Sequence, residues 1–408
     1  MFHSRNPIYR NPTGAVQAHT NIHFKLLVPR EFRCSAARLM VGEEFTKQVK
    51  TLGLFWCVMN GVVDEWWECD FTPEQSGLYF YRFEIDTWRG TLGITSRFGG
   101  ESGIDEFGAP EGECWQLTVF ESQYQIPDWL SGGIMYQIFP DRFYRSGTTK
   151  YNVPQDRYLH QRWGSQPEWR PNHQGEITNS DYFGGDLEGI IQKLDYLQSL
   201  GITCIYLNPI FEAHSNHRYD TADYTKVDPL LGTKEDFKRL CKEANKRGMH
   251  IMLDGVCNHT GSDSIYFNRK GRYQTLGAYQ SQESPYYDWY QFYQWPEQYA
   301  CWWNFETLPN VNETNETYNA YINGTDGVIQ TWLKAGADGW RLDVADELPD
   351  LFLDDITKAA KQVKPTSMIL GEVWEDASNK MAYGQRRRYL LGKQLDSVMN
   401  YPFREAII

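Results

Sequence analysis

The sequence predicts an α/β protein in two parts, an all-β segment followed by a parallel sheet with helices outside it. Two observations predict this. Residues 1–125 carry short alternating stretches bounded by Gly, Pro and Ser. From residue 126 onward, apolar strand-like runs alternate with amphipathic helix-like runs, the pattern of successive βα units. At 408 residues the chain is long enough for two or three domains with full cores.

In the first part, NIHFKLLV and GLYFYRFEID alternate. Tyr79, Tyr81, Phe83 and Ile85 fall on one face, because successive strand side chains point to opposite sides. DEWWECDF and ECWQLTVF add further short strands. The sum is a β-sandwich of roughly 120 residues, ending at residue 125, where QYQIPDWLSGG marks a linker. Its tryptophans serve either a core or a ring-stacking surface.

The second part, 126–408, is read in order. Strands are expected at 134–139, 202–209, 249–256, 337–344, 367–374 and 395–403. Helices are expected at 186–201, closed by Gly201, and at 233–248, with Thr233 as N-cap and Gly248 as stop. Two more are expected at 327–336 and 351–364. Strands rich in Ile, Leu, Val and Met fit burial on both sides. One connection is long: residues 257–326, with 15 aromatics between 261 and 305. So long an insertion is either functional or a small subdomain packing its own core.

Net charge is −13, which argues against nucleic acid or an anionic membrane surface as partner. No run of apolar residues is long enough to span a bilayer, and MFHSRNPIYRNPTG lacks the apolar core of a signal peptide. The eight cysteines lie far apart with no C-x-x-C, so they are expected to be reduced thiols of a cytoplasmic protein.

Polar residues gather at the C-terminal ends of the predicted strands. Asp254 ends the third and is followed by Asn258 and His259; Arg341 and Asp343 end the fourth; Glu372 ends the fifth, with Trp374 two residues on. Any one could be a satisfied buried polar group, but three adjacent strands ending this way point to chemistry. Arg341 and Asp343 share one strand face. That is either a plain buried ion pair or a carboxylate held ionised. Asp343 and Glu372 lie one βα unit apart, so they can face each other across a substrate. Two carboxylates so placed perform retaining glycoside hydrolysis, one as nucleophile and one as acid/base. On this reading Arg341 lowers the Asp343 pKa, while Glu372 is kept protonated beside the Asp343 charge.

These stretches resemble the conserved blocks of the α-amylase family. DGVCNHTG (254–261), GWRLDVADE (339–347) and GEVWED (371–376) look like its first three blocks, and SNHRYDTADY (215–224) and FGGDLEGI (183–190) match family stretches too. MYQIFPDRF (135–143) is similar to the neopullulanase, cyclomaltodextrinase and maltogenic amylase branch. The resemblance implies a (β/α)8 TIM barrel preceded by an N-terminal β-sandwich, and retaining cleavage of α-1,4-glucosidic bonds in maltodextrins, cyclodextrins or pullulan. It implies Asp343 as nucleophile, Glu372 as acid/base and Arg341 as the group that orients Asp343. It places His259 and Asp254 around the sugar being cleaved, Tyr219 beneath it, His217 and Asp220 at the substrate, and Trp374 on the leaving side. No organic cofactor is implied. Branch members often form homodimers.

Two departures stand out. Family members often hold calcium in the loop after PDRF, which here reads YRSGTTKYN and lacks most short acidic and amide ligands. Asp186 and Asn258 survive as weak metal candidates, and calcium stays an open alternative. The family's fourth block, an Asn-His-Asp, is missing, and six of eight barrel strands are present. The expectations are a fragment of a longer enzyme, a barrel completed by a second chain, or an inactive α-glucan-binding protein. A barrel enzyme acting on phosphorylated substrates is a further alternative, without a Gly-rich phosphate loop to support it.

Overall fold

The computed structural model describes residues 1–105, 113–175 and 177–408. The chain divides into two compact units, one of residues 1–125 with 377–393, the other of 126–376 with 394–408.

The first unit is built on strands Ile22–Pro29, Ala36–Glu43, Val49–Asn60, Asp64–Phe71, Gly77–Thr87 and Trp115–Phe120. The long strand Val49–Asn60 serves two neighbours in turn. Val49–Leu54 pairs with Ala37–Gly42, and Phe55–Asn60 pairs with Asp64–Glu68 after an irregularity between Trp56 and Val58. A bulge of this kind bends a strand and lets one sheet fold over on itself. The inward residues of both layers meet in one core that includes Phe24, Leu26, Leu39, Tyr81, Phe83 and Trp115. Tyr79, Tyr81, Phe83 and Ile85 are all buried, as their shared face requires. The tryptophans divide: Trp67 and Trp115 are core, while Trp56 and Trp88 are exposed.

The sequence drew the second domain without interruption, but residues 377–393 group with the first unit. Asn379 Nδ2 donates to Gln116 Oε1 at 2.8 Å, Glu121 N donates to the Leu391 carbonyl at 3.1 Å, and Lys393 pairs with Glu121 at 2.8 Å.

The second unit contains six parallel strands, each paired with the next in chain order: Met135–Ile138, Cys204–Leu207, His250–Gly255, Gly339–Leu342, Met368–Gly371 and Ser397–Val398. This is the half-barrel that the alternation predicted. Four of these strands are buried at every position, except for a half-buried His250.

The helices form where their caps say. Lys234–Asn245 opens on a capping box, with Thr233 Oγ1 accepting from Asp236 N at 3.2 Å and Asp236 Oδ2 from Thr233 N at 2.9 Å. Val328–Ala335 stops at Gly336, whose φ of 126° only glycine adopts readily. The helix expected at 186–201 is two, Leu187–Gln192 and Leu194–Ser199, interrupted at Lys193.

One expected strand is corrected. Of 395–403, only Ser397–Val398 is strand, and Tyr401–Ile407 is helix. Asn400 Oδ1 accepts from Phe403 N at 3.1 Å and Pro402 sits in the first turn, both helix-starting signals.

The long insertion meets both expectations in different residues. Tyr266, Phe267, Trp289 and Tyr290 are buried in its own aromatic core, while Tyr293, Trp303 and Phe305 are exposed. It also holds a helix the sequence reading missed, Glu316–Asn323, capped by the Asn315 side chain.

Candidate active site

Strand register assembles the site. In the parallel sheet Asp254 stands directly beside Arg341, and Leu342 beside Gly371. Asp343 and Glu372 therefore follow at the same level on adjoining strands. The outcome is one guanidinium holding three carboxylates. Arg341 Nη1 lies 2.9 Å from Asp254 Oδ1 and 2.6 Å from Asp343 Oδ1, and Nη2 lies 2.8 Å from Glu372 Oε1. All four side chains are buried: Arg341 is 4% exposed, Asp254 1%, Asp343 8% and Glu372 9%.

Three negative groups around one positive group leave excess negative charge in a dry place. Burial, followed by the Asp254 charge, pushes the Asp343 carboxyl up to about 8, with Arg341 pulling the other way. The Asp254 carboxyl is also raised, by burial first. Arg341 does lower the Asp343 pKa, as expected, but the net shift is upward, so the expectation of a carboxylate held ionised is corrected. The pull exists, but one cation shared among three anions does not offset their desolvation and mutual repulsion.

The backbone turns sharply after Asp343. Val344 has φ 41° and ψ 49°, a left-handed conformation that is costly for a β-branched residue. The turn aims its N–H at Glu372 Oε2, at 2.9 Å. Tyr401 donates to the other oxygen, Oε1, at 3.2 Å. Glu372 is thereby fixed from three directions.

Tyr219 is tied in from another side. Its hydroxyl donates to Asp254 Oδ2 at 3.0 Å and accepts from Asn208 Nδ2 at 3.1 Å, and Asn208 Oδ1 accepts from Gln137 Nε2 at 2.9 Å. Tyr206 also donates to Asp254 Oδ2. His217 Nδ1 accepts from Tyr219 N at 3.1 Å. Asp220 is occupied locally, accepting from the backbone N–H groups of His214 and Ser215 and from the Ser215 hydroxyl. It clamps the loop that carries Tyr219.

His259 is 1% exposed, and neither ring nitrogen has a hydrogen-bond partner. Burial pushes its imidazole down to about 3, so the ring is neutral. Buried polar atoms are normally satisfied, and a buried ring nitrogen without a close partner suits a ligand hydroxyl. Trp302 stacks on this ring with centroids 5.5 Å apart, and Trp303 meets Trp374 edge-on at 5.5 Å. Glu347 Oε1 accepts from both indoles, Trp302 at 3.2 Å and Trp303 at 3.3 Å.

Asn258 faces the same carboxylate, donating to Glu347 Oε2 at 3.1 Å. Among the described residues, no three His, Cys, Asp or Glu side chains are grouped to hold a metal ion. Tyr206, Tyr401, Glu347 and the tryptophan pair escaped the sequence reading. Tyr206 had a signal, since it sits at the C-terminal end of its strand like the others.

Residues 137–408 match the family model described as alpha amylase, catalytic domain. The chain belongs to the alpha-amylase family. It is 36% identical over 440 residues to an amylopullulanase of Thermoanaerobacterium saccharolyticum, covering 99% of this chain and 33% of that one. It is 34% identical over 320 residues to neopullulanase 2 of Thermoactinomyces vulgaris, covering 76% of this chain and 49% of that one. Among solved structures, a cyclomaltodextrinase aligns with a TM-score of 0.59 at 25% identity, over 100% of this chain and 64% of its own. The chain therefore spans less than two thirds of each of these relatives. The quoted resemblance to the neopullulanase and cyclomaltodextrinase branch agrees with these matches, and the alpha-amylase fold explains why the site lies at the C-terminal strand ends.

Proposed function

We propose that this protein is a retaining α-glucan hydrolase cleaving α-1,4-glucosidic bonds in maltodextrins, cyclodextrins or pullulan. The convergence of Asp343, Glu372 and Asp254 on Arg341 carries this reading. Asp343, in its ionised form, attacks the anomeric carbon as the bond to the leaving oxygen breaks, and Glu372 gives that oxygen a proton. Water then attacks the glycosyl–Asp343 ester, with Glu372 taking its proton, and the product keeps the α configuration. The unpartnered His259 nitrogens suit sugar hydroxyls, Tyr219 stacks beneath the ring, and Trp303 with Trp374 meets the leaving side. Side chains and water suffice. All eight cysteines are free, which supports a reducing, cytoplasmic setting. No helix among the described residues is long and apolar enough to cross a membrane.

The test is reducing-sugar release from maltoheptaose, cyclodextrin and pullulan. Asp343→Asn should lower it by about 10⁴-fold or more. Proton NMR of the first product should show the α anomer. A β anomer, or undiminished activity in Asp343→Asn, sinks the proposal. Glucan binding without turnover in the unaltered chain would favour a binding role instead.

A further inference from the structure

Calcium, which the alpha-amylase fold suggests, needs six to eight oxygen ligands with lone pairs to spare. The residues around Asp186 do not supply them. Asp186 is the N-cap of the Leu187–Gln192 helix, and its Oδ1 accepts from Gly189 N at 2.7 Å and from Ser146 N at 3.3 Å. Its Oδ2 accepts from the Ser146 hydroxyl at 2.6 Å and lies 2.7 Å from Lys150 Nζ. Both oxygens thus face two donors each, which leaves no lone pair for a metal. The carboxylate is 1% exposed and the Lys150 side chain 17%. Segment 145–150 brings no carboxylate of its own. The other candidate, Asn258, has its amide engaged by Glu347 and its Oδ1 3.4 Å from Asn310 Nδ2.

The loop is nevertheless held firmly. Asp186 N donates to the Tyr144 carbonyl at 3.2 Å, and a side chain at Gly189 would collide with that same carbonyl. A loop pressed against a helix start needs a positive charge to balance the buried Asp186. We propose that the Lys150 ammonium is that charge, a built-in cation that locks the 144–150 loop to Asp186 in place of calcium. The same ammonium excludes a divalent ion by position and by repulsion. This inference concerns the loop and stands whether or not the chain hydrolyses glucan.

The experiment is calorimetric unfolding of the protein in excess EGTA and in excess calcium chloride. The unaltered protein should show one Tm in both, and calcium titrated into chelator-treated protein should give no binding isotherm. Lys150→Met should lower Tm by about 3–8 °C in both buffers, since it leaves a buried carboxylate without its cation. A Tm of the unaltered protein that falls in EGTA, or a calcium isotherm for it, overturns the proposal. So does a Lys150→Met protein as stable as the parent.

Discussion

At the scale of single residues, Arg341 is the hinge of the site, and Asp343 is poised against its own stability. Its folded pKa of about 8 lies above the unfolded value. Between about pH 4 and pH 8 the native state therefore holds a proton that the unfolded chain has lost. Raising pH through that window costs stability. Asparagine has no such proton, so Asp343→Asn should gain in Tm relative to the parent between about pH 5 and pH 8. Calorimetry at the two pH values decides it, and a constant or shrinking gap would show the carboxylate to be comfortably ionised. Tyr401 offers a second test. Tyr401→Phe removes one hydrogen bond to Glu372 and leaves those from Val344 and Arg341. Its kcat should fall about fivefold with KM and Tm little changed. An unaltered kcat would mean that Tyr401 does not position Glu372.

At the scale of elements, a device at the opposite strand ends pairs neighbours. Just before the second, fourth and sixth strands stand Thr203, Asp338 and Asp396. Each accepts from a backbone N–H at the start of the preceding strand: Ile134 at 3.0 Å, Ile251 at 2.9 Å and Ile369 at 2.7 Å. Lys364 adds an ammonium to Asp338 at 2.6 Å, and Lys361 one to Asp396 at 2.8 Å. Asp396→Ala would strand both donors and should cost about 2–4 kcal/mol, read from the urea midpoint at unchanged slope. A loss below about 0.5 kcal/mol would show the latch to be incidental.

This latch was illegible beforehand, because it depends on which strands lie side by side. The strands themselves were legible: five of the six match their apolar stretches, and helix starts such as Thr233 carry their caps in the sequence. The 395–403 stretch misled because LDSVMNYPF is apolar enough for a strand while Asn400 and Pro402 start a helix. Asp343, Glu372, Arg341 and His259 were found because each stands at a strand end. Tyr401 was hidden by that misread stretch, and the Trp302–Trp303 pair by the irregular backbone of the insertion, where Trp303 has φ 48°. The upward push on Asp343 needed three partners to be counted, and the two visible in line, Arg341 and Asp343, gave the opposite sign.

At the scale of the whole molecule, the family match and the two units describe an alpha-amylase half-barrel and a mainly antiparallel β unit. The unit boundaries carry a consequence for anyone who would cut the protein apart. The polypeptide leaves the half-barrel unit after Asp376, contributes 377–393 to the other, and re-enters at Gln394. The two are joined by three covalent crossings rather than one tether. Proteolysis in the linker near residue 125 would leave residues 1–125 held only by noncovalent contacts to 377–393, such as Lys393 to Glu121. A gene fragment ending there would lack the Asn379, Leu391 and Lys393 contacts that complete it, and grafting the half-barrel onto another scaffold would carry a stray piece of its neighbour along.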